Sequence, residues 1–169
     1  KVILFVYNIA GDIMETFKSF NLKKEVLKAL ESFNYSSPSW IQEKVLPKAL
    51  KGENIVAQSE TGSGKTHSFL VPIMNKIDCN NRNVQSIIFC PTRELARQTW
   101  EFAKAFEPFL KGLKVTLLTS GTDRSKDLAK LNINPHIIIG TPGRIKDVLS
   151  SNSIKVNEVN SIILDAADM

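Results

Sequence analysis

The sequence predicts an α/β fold in three layers, with helices on both faces of a mostly parallel, doubly wound sheet. Three observations carry this expectation. Short β-rich apolar runs at residues 55–57, 86–90, 115–119, 136–140 and 161–164 alternate with helical stretches at 65–77, 93–109, 125–131 and 144–150. The runs are apolar almost throughout, as suits parallel strands covered on both sides. Strand–helix alternation requires crossovers that pack helices on the two faces, and ligands then collect at the carboxyl ends of the strands. With 169 residues, 43% hydrophobic and 23% charged, the chain has the balance of one ordinary domain with a real core.

Taken in order, residues 1–13 open on Lys1 and the apolar run Val2-Ile3-Leu4-Phe5-Val6-Tyr7. The run is too short to span a bilayer, which needs roughly 20 residues. A single preceding charge and the early Asn8 and Asp12 argue against a secretory signal. We therefore read 1–13 as a non-native leader or an extra strand, with Met14 as a plausible start. In residues 22–33, Leu22, Val26, Leu27, Leu30 and Phe33 recur at helical spacing between charged residues, which predicts an amphipathic helix. A second helix is predicted over 39–50, started by Ser37-Pro38, stopped by Lys51-Gly52, and burying Ile41, Val45, Leu46 and Ala49. The expected organisation is a leader (1–13), a helical segment (14–51) and the α/β domain (52–169).

The net charge of +5 favours a polyanionic partner, because Lys and Arg that neutralise phosphates release condensed counterions. Cys79 and Cys90 form no Cys-x-x-Cys pair and have no adjacent histidine, so neither a disulfide framework nor a zinc site is expected, and a reducing, cytoplasmic setting fits. His67 and His136 stand alone in sequence and are assigned packing or hydrogen-bonding roles. No membrane partner is expected, and the fragment is expected to be monomeric.

Thr61-Gly62-Ser63-Gly64-Lys65-Thr66 follows the run at 55–57 and opens the helix near Lys65, the context that gives a phosphate-loop match its mechanism. Glycines let backbone N–H groups curl around the β- and γ-phosphates, and the helix N-terminus adds partial positive charge. Lys65 would neutralise phosphate oxygens and the Thr66 hydroxyl would ligate Mg²⁺. The strict pattern asks for glycine five residues before Gly64; this chain has Ser59, which narrows the class. The second half of such a site is an Asp ending a buried strand, and Asp165 after Ser161-Ile162-Ile163-Leu164 supplies it.

With Ser59-Glu60 before that loop, and with Pro91-Thr92-Arg93-Glu94-Leu95-Ala96, Thr141-Pro142-Gly143-Arg144 and Asp165-Ala166-Ala167-Asp168 after it, the chain resembles the DEAD-box family of ATP-dependent RNA helicases from Phe17 to its end. The resemblance implies a RecA-like P-loop NTPase fold. It also implies an adenine-recognising segment comprising Phe17, Pro38 and Gln42: a Gln amide can pair with the N6 and N7 edge of adenine, and an aromatic ring can stack on a base. It assigns Pro91, Thr92, Arg93, Gly121, Thr141, Pro142, Gly143 and Arg144 to the RNA sugar-phosphate backbone, with little sequence preference. Ser120 stands where the family has the first of two glycines.

The resemblance implies ATP and Mg²⁺ as ligands, with Lys65, Asp165 and Asp168 in the catalytic set and Thr66 and Asp165 on the metal. Family members carry glutamate at position 166 to activate the attacking water, and Ala166 cannot accept a proton. Hydrolysis is expected to be impaired by roughly 10²–10⁴-fold, the usual contribution of a general base. We read Ala166 as a deliberate trap substitution, with a natural non-hydrolysing relative as the alternative. The family also implies a further strand and a second RecA-like domain beyond this segment. The expected parent activity is ATP hydrolysis coupled to local RNA strand separation, and the rival readings are a non-hydrolysing ATP-gated RNA clamp or scaffold and a DNA-directed or metabolic phosphate-loop ATPase.

Overall fold

A computed structural model of the chain describes residues 2–3, 16–60, 62–121 and 123–165. The chain divides into two compact units, Lys1–Lys76 and Ile77–Met169.

The first unit holds a two-residue strand, β1 (Val2–Ile3), a 3-10 turn (Phe17–Ser19) and three helices, α1 (Lys24–Ser32), α2 (Trp40–Leu50) and α3 (Lys65–Lys76). The remaining residues of 1–13 lie outside the described ones. The apolar spacing read from the sequence is the buried spacing: Val26, Ala29 and Leu30 on α1, and Ile41, Val45 and Leu46 on α2. On α3, Phe69, Leu70, Val71, Ile73 and Met74 are buried, and α2 packs along this helix. Pro47 and Pro72 lie inside α2 and α3, where a missing N–H and a ring clash cost about 3 kcal/mol. Both helices continue through them, because the apolar faces they present to each other outweigh local propensity. The predicted strand at 55–57 is reduced to two isolated bridge residues, Ile55 and Ala57, both buried on either side of exposed Val56.

The second unit is the α/β layer structure. Its elements are β2 (Ser86–Phe89), α4 (Arg93–Lys104), β3 (Val115–Leu118), α5 (Arg124–Lys130), β4 (Ile137–Gly140), α6 (Pro142–Ser150) and β5 (Ser161–Leu164). The four strands run in the order β5-β2-β4-β3, and each neighbouring pair is parallel. Ile87 and Ile138 join Val84, Leu118, Ile145 and Val148 in one buried cluster that seats α6 on the sheet. The next residue of each strand, Ile88 and Ile139, points to the opposite face and is equally inaccessible, so both faces are covered. α4 packs on β3 and β4 and is tied there by the Trp100 Nε1–H, which donates to the Val115 carbonyl at 3.2 Å.

Two of the helix limits that differ from expectation do so for a local reason. The helix predicted over 93–109 stops at Lys104 and gives way to turns. Pro108 sits where it would need an N–H to continue. α6 starts at Pro142 and not at 144, with Pro in the first turn, where its absent N–H costs nothing.

Candidate functional site

In the first unit the phosphate loop is shaped by two glycines in left-handed conformation, Gly62 (φ 82°) and Gly64 (φ 92°). Gly64 is also closely approached: a Cβ there would lie 2.6 Å from Gln42 Nε2 and 2.8 Å from Ser39 Oγ. That proximity comes from Gln42, whose Nε2 donates to the Gly64 carbonyl at 3.1 Å while its Oε1 accepts from the Ser39 backbone N–H at 2.9 Å. The second bond is the reach-back half of a capping box at the start of α2. An amide side chain has two N–H groups and two acceptor lone pairs, so Gln42 keeps one of each beyond these two bonds. The Lys65 ammonium donates to the carbonyls of Ser59 and Glu60, the latter at 2.7 Å, and the Ser59 and Ser63 hydroxyls share a bond of 2.5 Å. Lys65 is thus folded over its own loop, on two of its carbonyl oxygens.

Phe17 and Pro38 are both buried. Phe17 lines a cavity of about 450 Å³ with Leu27, Leu30, Asn34 and Tyr35, and Gln42 is not among the residues that line it. Beside Thr66, His67 packs its ring edge-on against Tyr35, with centroids 4.9 Å apart, and near Phe33. Burial pushes its imidazole down to about 4, so it is neutral at ordinary pH. The packing role given to His67 is the one it fills, but its aromatic partners, more than thirty residues upstream, left no sequence signal.

In the second unit, parallel register decides the arrangement. Phe89 pairs with both Gly140 and Leu164, and Leu118 pairs with Gly140, so the four strands end level. The segments that leave them, at 90–93, 119–121, 141–144 and 165, therefore emerge along one sheet edge, where open α/β sheets bind ligands. The Thr92 hydroxyl accepts from the Leu95 N–H at 3.2 Å and caps α4. Exposed Gly121, at φ 84°, has the Arg93 guanidinium 2.3 Å from where its Cβ would be. The Thr141 hydroxyl accepts from the Ser120 N–H at 3.1 Å, which joins two of the predicted RNA-contacting segments, while Pro142 and Gly143 stay exposed.

Arg144 is drawn towards a carboxylate that sequence reading passed over. Its Nε lies 3.4 Å from Oδ2 of Asp127, a side chain fully removed from solvent, whose Oδ1 accepts from Lys130 at 2.7 Å. Asp127 and Lys130 lie three apart on α5, but nothing in sequence links them to α6.

Asp165 continues the β5 ladder, its N–H donating to the Phe89 carbonyl at 2.8 Å. Its Oδ2 accepts from the Thr99 hydroxyl at 3.2 Å and lies 3.9 Å from Cys90 Sγ. Burial, and then the Asp165 charge, push the Cys90 thiol up to about 12, so it remains protonated. Thr99 and Cys90 were not singled out as site residues in the sequence, since only the folded sheet brings them to Asp165.

Each unit offers an oxygen donor of the kind that magnesium nucleotides use. Mg²⁺ takes hard oxygen ligands, usually one or two carboxylates with phosphate oxygens, and not an all-protein cage. Among the described residues no group of three or more His, Cys, Asp or Glu could hold a metal by itself, whereas Asp165 offers an oriented carboxylate and Thr66 a hydroxyl in the first turn of α3. Thr61, Ala166 and Asp168 lie outside the described residues.

A family model described as DEAD/DEAH box helicase matches residues 39–169, more than three-quarters of the sequence. The chain belongs to the DEAD/DEAH box helicase family. Among its DEAD-box relatives, the ATP-dependent RNA helicase CshB of Bacillus cereus is 38% identical over 158 residues, which are 92% of this chain and 36% of that protein. Among solved DEAD-box structures, one from Methanococcus jannaschii is 37% identical with a TM-score of 0.83, covering 92% of this chain and 43% of that one. Saccharomyces cerevisiae dbp5, bound to gle1 and ip6, is 30% identical with a TM-score of 0.82, covering 93% of this chain and 40% of that one. These neighbours establish the fold as that of a DEAD-box RecA-like domain, and the chain spans about a third of the length of the CshB relatives it matches. No helix among the described residues is long and apolar enough to cross a membrane.

Proposed function

We propose that this chain is the Mg²⁺-ATP- and RNA-binding part of an ATP-dependent RNA helicase, composed of a helical adenine-recognition segment (14–51) and the first RecA-like domain (52–169). The observation that carries the proposal is the Gln42 amide bonded at once to the start of α2 and to the Gly64 carbonyl of the phosphate loop. One residue thereby ties base recognition to phosphate recognition, and its remaining donor and acceptor suit the N6 and N7 edge of adenine.

In this reading Phe17 and Pro38 complete the base site, Thr61, Gly62, Ser63 and Gly64 cradle phosphates, and Lys65 exchanges its carbonyl partners for phosphate oxygens. Mg²⁺, held by Thr66 and Asp165, would supply charge neutralisation at the phosphates. Pro91, Thr92, Arg93, Gly121, Thr141, Pro142 and Gly143 grip the RNA backbone at one sheet edge, with Arg144 fastened to Asp127. In the parent, a second RecA-like domain closes over ATP and RNA, hydrolysis reopens the cleft, and Asp168 takes part in that coupling. Ala166 leaves this chain without a proton acceptor for the attacking water, which makes it hydrolysis-deficient and favours a second reading as an ATP-gated RNA clamp.

Calorimetry with Mg-ATP and Mg-GTP, and anisotropy with RNA and DNA of one sequence, test the proposal. Uptake of ATP in preference to GTP, and a salt-dependent preference for RNA, are expected. Equal uptake of the two nucleotides, or none, would refute it.

A further inference from the structure

We infer that Thr99 is a positioning residue for the metal: its hydroxyl fixes Oδ2 of Asp165 and so sets the carboxylate in the orientation that Mg²⁺ requires. The inference rests on the proposed assignment of Asp165 to Mg²⁺ and adds a residue that the helicase motifs in the sequence do not include.

Three observations converge on it. Thr99 lies in the buried stripe of α4 between Ala96 and Ala103, all three at most 2% exposed. A hydroxyl in such a stripe must be hydrogen-bonded to be tolerated, and an apolar side chain would serve packing as well. The bond it makes is not the local one to the preceding helical turn, but one of 3.2 Å to a carboxylate 66 residues away on the end of β5. The Cys90 thiol reaches the same oxygen from the neighbouring strand end at 3.9 Å, so Oδ2 is approached from α4 and from the end of β2 together.

A carboxylate at a strand end rotates about two side-chain torsions, and a buried hydroxyl donating to one oxygen restricts both. Partners that orient a metal-bound carboxylate in this way are worth about 10- to 100-fold in metal affinity or activity. Helix α4 begins at Thr92 and Arg93, in the proposed RNA grip, so the same rigid element carries the residue that orients the metal carboxylate.

The test is calorimetric binding of ADP to this chain across a Mg²⁺ titration and in EDTA, with Thr99→Val, Thr99→Ala, Thr99→Ser and Asp165→Asn. The expected result is that Thr99→Val and Thr99→Ala weaken the Mg²⁺ dependence of binding by about 10-fold or more while binding in EDTA is unchanged, and that Thr99→Ser restores the dependence. Alanine suits the small-residue stripe, so it keeps the question answerable if valine prevents folding. Unchanged Mg²⁺ dependence in both apolar variants would overturn the inference. So would an equal loss with and without Mg²⁺, which marks a structural role. If Asp165→Asn itself leaves the Mg²⁺ dependence intact, the metal assignment falls and this inference with it; if only the Thr99 variants are silent, the assignment stands and Thr99 is excluded.

Discussion

The absence of a side chain at position 121 is what lets the Arg93 guanidinium come within 2.3 Å of the place a Cβ would occupy. Gly121→Ala must therefore displace a flexible cationic group and hold a left-handed φ of 84°, a conformation costing an L-residue about 1–2 kcal/mol. If Arg93 grips RNA, the variant should bind RNA more weakly with a salt slope smaller by about one unit, as anisotropy titrations at several salt concentrations would reveal, while ADP affinity is unaltered. At Gln42 the decisive group is the Nε2 donor to Gly64. Gln42→Glu keeps an oxygen for the Ser39 N–H but sets a carboxylate against the Gly64 carbonyl. A cost of about 1–3 kcal/mol in urea melts and a loss of adenine-nucleotide uptake are expected. The Ser39–Gln42 pairing is local, a spacing the sequence displays although the helix start was read from Ser37-Pro38, whereas the bond to Gly64 spans 22 residues.

Each helix joins a sequence signal to a tertiary one. α3 was predicted within a residue of its observed end, yet the surroundings of His67 were not, because its ring meets side chains from a distant turn. Its imidazole is lowered from 6.5 to about 4 by burial, so between those values the unfolded chain binds the proton and the folded one does not. Stability must then fall as pH drops through that window, by roughly 3 kcal/mol when it has been crossed. Burial lowers His136 as well and adds in the same direction. Urea melts between pH 7 and pH 4 should show this slope, reduced in His67→Gln. On α5, Asp127 holds cations from its own helix and from α6. Asp127→Ala should cost about 3–5 kcal/mol, because it strips a nearly buried guanidinium of its carboxylate. Thermal melting measures the loss, and Asp127→Asn, which keeps hydrogen-bonding capacity, should recover part of it.

At the scale of the whole chain, the net charge of +5 and the level strand ends of the second unit support the proposed reading of RNA binding as backbone-directed and salt-sensitive. In the proposed reading, the hydrolytic step requires a second RecA-like domain. With a second RecA-like domain joined to it, an Ala166→Glu chain should regain RNA-stimulated phosphate release by about 10²–10⁴-fold over the alanine form, measured in single turnover. Equal rates would mean that position 166 has no part in activating water.

The linear sequence by itself determined the alternation of strands and helices, the phosphate loop, the limits of β5, and the four segments that carry the family's motifs. All of these are set by periodicity, turn chemistry or residue types within a few positions of one another. It did not determine that the strands lie in the order β5-β2-β4-β3, or that residue 108 ends α4's continuation in turns. Nor could it pair Asp165 with Thr99, Arg144 with Asp127, or Arg93 with Gly121. Those meetings are made by which strands lie side by side and which helix covers them, and the free energy that chooses them is the burial of apolar surface, which carries no directional mark in a chain read one residue at a time.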